Sequence, residues 1–194
     1  MKKKIFAFAV MLICLSVLAS TTLAYFTDVG TARNVITSGG VSIQVVEQQL
    51  VDGSVQPYPE EPIAIMPGST VSKIVSVAGN AQPAWVRVAW TVTVLDPRGE
   101  PKKIPAETLE KLVIIRPNAE SWTLKDGWWY YSAAVASGDR TEPIFSQVSF
   151  SGPNMGNEYQ NCTVVIAVQA QAVQQANNGA TALEALGWPE PAQE

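Results

Sequence analysis

Side chains that carry most enzymatic chemistry are sparse in this sequence. It contains no histidine, the residue that most often acts as general base or zinc ligand, so no Ser-His or Cys-His nucleophile pair can form. Its two cysteines are Cys14, inside an apolar N-terminal run, and Cys162, at the head of an apolar stretch. G-x-S-x-G, P-loop, G-x-G-x-x-G and H-E-x-x-H patterns are all absent. Glu107 and Glu110 are spaced to share a helix face, as an acid/base pair would, yet the same spacing complements the dipole of a first helical turn. Asp126, Asp139, Asn157 and Glu158 could bind a cation only if separate loops brought their oxygens together. Asn161-Cys162-Thr163 matches a glycosylation sequon. The expectation is a protein without catalytic residues, metal or cofactor.

The most distinctive local chemistry is aromatic. In Trp128-Trp129-Tyr130-Tyr131 a strand would turn Trp128 and Tyr130 to one side, Trp129 and Tyr131 to the other. One pair can enter a core. Trp129 and Tyr131 are the candidates for an aromatic surface, of the kind that stacks on sugars in carbohydrate-binding modules.

Lys2–Lys4 precede an apolar run from Ile5 to Leu18, with small and polar residues from Ala19 to Ala24. This is the layout of a secretory signal peptide over residues 1–24, with an apolar run short for a membrane span. Cleavage between Ala24 and Tyr25 by a signal peptidase is expected, and membrane contact only through the uncleaved signal. Without Lys2–Lys4 the remainder carries 10 cations against 17 carboxylates, a net charge of −7. Such a body offers no electrostatic footprint for nucleic acid. Cys162 is then the only thiol, so the domain has no internal disulfide. Burial suits it better than pairing between molecules.

The elements that must position these residues read as strands. From Trp85 to Leu95, Val86, Val88, Trp90, Val92 and Val94 alternate with Arg87, Ala89, Thr91 and Thr93, which predicts a half-buried strand with Trp90 inward. Cys162–Gln175 alternates likewise, and Val41–Val46, Val71–Val77, Trp128–Val135 and Ile144–Phe150 are further candidates. Turn residues such as Pro67-Gly68, Asp126-Gly127 and Gly138-Asp139 separate them. The fold class is therefore all-β, an antiparallel jelly-roll or Ig-like sandwich. One or two short helices are expected, at Pro105–Leu112 and Ala180–Leu186, and Val51–Pro62 reads as an exposed loop. The organisation is signal 1–24, extended segment 25–39, sandwich 40–176, and a short helix with a flexible tail over 177–194.

Leu23-Ala24-Tyr25-Phe26-Thr27-Asp28 resembles the signal junction of the TasA and camelysin family of exported bacterial proteins. Asn34–Ile43, Met66–Lys73, Ala84–Val88, Asp126–Tyr131 and Gly138–Thr141 are similar, in order, to later landmarks of that family. The resemblance implies a secreted jelly-roll subunit of extracellular fibres, a biofilm matrix or a surface layer. Some relatives are described as metallopeptidases; the absence of histidine argues against that activity here. Tyr25, Phe26, Val35 and Ile36 belong to an extended, partly apolar end that could leave its own domain and pair with a neighbour's sheet edge, giving self-assembly by strand donation. The alternative is that this segment completes its own sheet. A surface adhesin or carbohydrate-binding module is the competing function.

Overall fold

A computed structural model describes residues 40–61 and 63–189, with Ala64 by its backbone, and the backbone of the short strands at 26–27, 29–30 and 33–37. Three strands precede the body: β1 (Phe26–Thr27), β2 (Val29–Gly30) and β3 (Arg33–Thr37). Then follow β4 (Ile43–Val51), β5 (Ser54–Pro57), β6 (Ala64–Ile65), β7 (Thr70–Gly79) and β8 (Ala84–Leu95). After helix α1 (Ala106–Leu112) come β9 (Val113–Ile115), β10 (Trp122–Lys125), β11 (Trp128–Tyr131), β12 (Phe145–Phe150) and β13 (Thr163–Gln174).

Two sheets pack face to face. The first runs β10-β11-β8-β13, with β2 and β3 along the far edge of β13; the second runs β5-β4-β7-β12-β9. A small ribbon joins β1 to β6, with Phe26 opposite Ile65. The all-β sandwich with one short helix is thus established. Strand pairs are antiparallel except at one edge, where β2 and β3 run parallel to β13.

Alternation builds the interior. On β8 the inward Val86 and Val88 are fully buried, and on β13 so are Val164, Ile166, Val168, Ala170 and Ala172. These two long strands pair along their whole length, from Thr163 opposite Leu95 to Gln174 opposite Ala84. Trp90 and Val92 point the same way but are only half-buried, because the sandwich is open beside them. β-Branched side chains fill a pleated interface without the χ1 cost they would meet in a helix.

Turn chemistry sets the hairpins. Asp52-Gly53 and Asp126-Gly127 both take positive φ at their two residues, 49° and 79° in the first and 50° and 80° in the second. That is the geometry of two-residue turns whose twist matches the strands they join. Val51–Pro62, expected as a loop, therefore opens with a hairpin, in which Leu50 faces Val55 and Gln48 faces Pro57. At Gly79 a Cβ would lie 2.4 Å from the carbonyl oxygen of Ala136, so only glycine lets that loop close on the end of β7.

α1 forms as the sequence suggests, with Glu107 in its first turn and Lys111 in its last. The second expected helix does not form. Residues 181–185 make a single turn, closed by the Ala185 N–H on the carbonyl of Thr181, between Gly179 and Gly187 at positive φ. The left-handed glycines on either side turn the backbone out of helical geometry at both ends of this stretch.

Candidate functional site

The expected assembly strand occupies an edge of the first sheet. Arg33–Thr37 lie parallel to Val168–Ala172, with Val35 opposite Ala170 and Ile36 opposite Gln171. Val29 and Gly30 continue the pairing along Val164 and Val165. Phe26 lies in the β1–β6 ribbon. Ala24 and Tyr25, the expected cleavage junction, are outside the described residues. In this conformation the segment completes its own sheet.

The aromatic run of β11 divides as the period of two requires, but not into core and surface. Trp129 and Tyr131 pack, half-buried, against the main core. Trp129 stacks on Trp90 at 6.2 Å and 15° between planes, and Tyr131 leans on Trp122 at 4.9 Å while its hydroxyl accepts the Glu142 N–H. Trp90 thus covers one face of Trp129, and both expected surface aromatics, Trp129 and Tyr131, keep part of their area exposed. Trp128 and Tyr130 point outward and are nevertheless buried, under the chain that follows β13.

That outer face holds an arginine box. Arg87 is 9% exposed, and its guanidinium carbon lies 4.4 Å from the Trp128 ring and 4.7 Å from the Trp188 ring. Nε and Nη2 both donate to Gln171 Oε1, at 2.8 and 2.6 Å; Nη1 donates to the Tyr130 hydroxyl and Nη2 to the Pro189 carbonyl. All these acceptors are neutral. Asn178 fastens the covering segment: its carbonyl accepts the Trp85 indole N–H, and its amide exchanges hydrogen bonds with the backbone of Leu186. The 177–189 segment is a strap over the sheet.

The opposite seam of the sandwich is open. β11 pairs with β8 only at Arg87 and Val88. Farther along, the Lys102 N–H bonds the Val94 carbonyl and Pro101 bridges to Leu95. Between these contacts, Ala89–Thr93 have no partner among the described residues on the side away from β13. Across the seam, β9 ends the second sheet, its outer side likewise without a strand among the described residues. The notch between them, about 430 Å³, is lined by Trp90 and Val92 from β8, Leu109 and Glu110 from α1, and Val113 and Ile115 from β9. Its walls are mostly apolar, with Glu110 as the one charged side chain among them. Sequence periodicity marked Trp90 and Val92 as inward but could not show that β11 stops short of them.

The acidic candidates lie on several different elements. Glu107 and Glu110 are exposed on α1, Asp126 lies in the β10–β11 turn, Asp139 in the loop before β12, and Asn157 and Glu158 in a short 3-10 turn. Among the described residues no three His, Cys, Asp or Glu side chains come together around a possible metal ion. Cys162 is buried, its thiol pushed above its ordinary pKa by desolvation. Asn161, of the sequon, is exposed with φ 59°.

The geometry defines a two-sheet β-sandwich in which the N-terminal strands lie along one edge of β13, while β10, β5 and β9 end their sheets without a further strand among the described residues. Comparison with protein-family models, curated proteins and solved structures returned no match. No helix of the described residues is long and apolar enough to cross a membrane.

Proposed function

We propose that this chain is an exported, non-enzymatic structural subunit, which assembles with copies of itself into extracellular fibres, a biofilm matrix or a surface layer, and that it is related to the TasA and camelysin proteins. The observation that carries this reading is the seat of β3. A strand close to the start of the chain lies along a sheet edge and pairs there with Val168–Ala172 of β13. The same backbone ladder is available on the β13 of a neighbour, so exchanging the strand conserves its hydrogen bonds and links two copies. Signal-peptide cleavage before Tyr25 would free that end after export. The acidic body, with Cys162 as its one thiol once the expected signal is removed, is in keeping with a structural role.

Electron microscopy of the exported protein at rising concentration tests the reading. Fibres are expected, together with a folded monomer that no longer polymerises when Tyr25–Asn34 is deleted. A wild-type protein that stays monomeric would exclude self-assembly, and a deletion variant that still polymerises would exclude strand donation.

A further inference from the structure

We propose that the notch between β8 and β9 receives the β4–β5 hairpin of a second copy of the chain. The contact rests on the reading that copies assemble, and it adds an interface between ordered elements to the exchange of the N-terminal strand.

The hairpin and the notch lie at opposite edges of the sandwich, since β5 and β9 are the two ends of the second sheet. A contact between them is head-to-tail and repeats from copy to copy instead of closing as a two-fold dimer. Three properties match. The first is hydrogen bonding: β5 pairs with β4 on one side only, and Ala89–Thr93 of β8 lack a strand on their outer side among the described residues. Added alongside β8, the four residues of β5 fit the open stretch between Val88 and Val94.

The second is apolar. Leu50 and Val55 face each other across the hairpin ladder, and they are 53% and 54% exposed. As a cross-strand pair they share one side of the ribbon. With Val55 turned inward, that side meets Trp90, Val92, Leu109 and Ile115, the apolar walls of the notch. The third is charge. Residues 51–62 hold Asp52, Glu60 and Glu61 and no cation. Residues 98–116, which build α1, β9 and the end of the notch, hold Arg98, Lys102, Lys103, Lys111 and Arg116 against three carboxylates. The cations belong to the segments around the notch, whose own lining carries the single charge of Glu110, so any steering comes from those segments and not from its walls.

The test mixes two variants of the exported protein, one with Val55→Cys and one with Glu110→Cys, under mild oxidation; both positions are exposed. A disulfide between the two variants is expected. Val55→Asp should raise the concentration for half-assembly at least tenfold, with a thermal melt like that of the wild type. Fibres that form without this cross-link, or unchanged assembly of Val55→Asp, would overturn the hairpin contact and leave self-assembly standing. A cross-link from Val35→Cys to Glu110→Cys instead would give the notch to the N-terminal strand and overturn the proposal. A wild-type protein that never assembles would overturn both readings.

Discussion

Lys73 and Arg87 are both buried cations, one between the sheets and one on the outer face of the first sheet. Lys73 shares the inward row of β7 with Val75 and Val77; its ammonium is 3.4 Å from Glu47 Oε1 and 3.7 Å above the Tyr58 ring. Arg87 has no carboxylate within ion-pair distance among the described residues; its partners are two indoles, a tyrosine, an amide and a carbonyl. An ammonium is compact and strongly hydrated, so a deep interior tolerates it beside an opposite charge. A guanidinium is flat and weakly hydrated, so rings and neutral oxygens can enclose it at the margin of the fold. The interior and the outer face thus differ in what closes them. One is sealed by two sheets, the other by a strap.

The interior pair should show the largest effect. Glu47→Ala takes the carboxylate from beside a fully buried ammonium and should cost about 3–5 kcal/mol in denaturant unfolding. Pairing Glu47→Gln with Lys73→Met should recover most of that loss. A cost below about 1 kcal/mol for Glu47→Ala would mean that other groups balance Lys73.

On the outer face, Arg87→Lys keeps the charge but loses the two bonds to Gln171 and the stacking between indoles. About 2 kcal/mol should go. A melt like that of the wild type would show that charge alone matters there. Trp188→Ala should cost less, about 1–2 kcal/mol, and act locally. Amide exchange over 175–189 should speed up while the core strands keep their protection; equal acceleration in both would remove the distinction between strap and interior.

The smallest effect is a pH dependence at Cys162. Desolvation raises its folded pKa above the ordinary 9.0. The unfolded chain therefore loses this proton first, and stability falls as pH rises from about that value to the folded pKa. In Cys162→Ala this alkaline slope should be shallower. An identical slope would place the titration elsewhere.

Much of the frame was legible in the sequence because β8 and β13 alternate over long runs and Asp126-Gly127 marks a hairpin, whereas the hairpin at Asp52-Gly53 lies in a stretch that reads as a loop. What was not legible depends on lengths and coverings. Alternation separates Trp128 and Tyr130 from Trp129 and Tyr131, but it cannot say which side of a sheet a later segment will cover. The strap turned the expected solvent side of β8 into a second apolar cluster and buried Arg87 there. The parallel seat of β3 was equally hidden, since a strand's composition does not encode the direction of its partner. The notch exists because β11 is four residues long and β8 twelve, a mismatch that no local pattern reports.

β13, the last strand among the described residues, pairs with β8 on one side and with β2 and β3 on the other. Until residue 174 has emerged from the ribosome, the first sheet lacks the strand that joins its two halves. Contacts of such sequence separation, 33–37 with 168–172, form late and slowly. The first sheet therefore closes only at the end of synthesis, while β4, β5 and β7 of the second can already pair with one another.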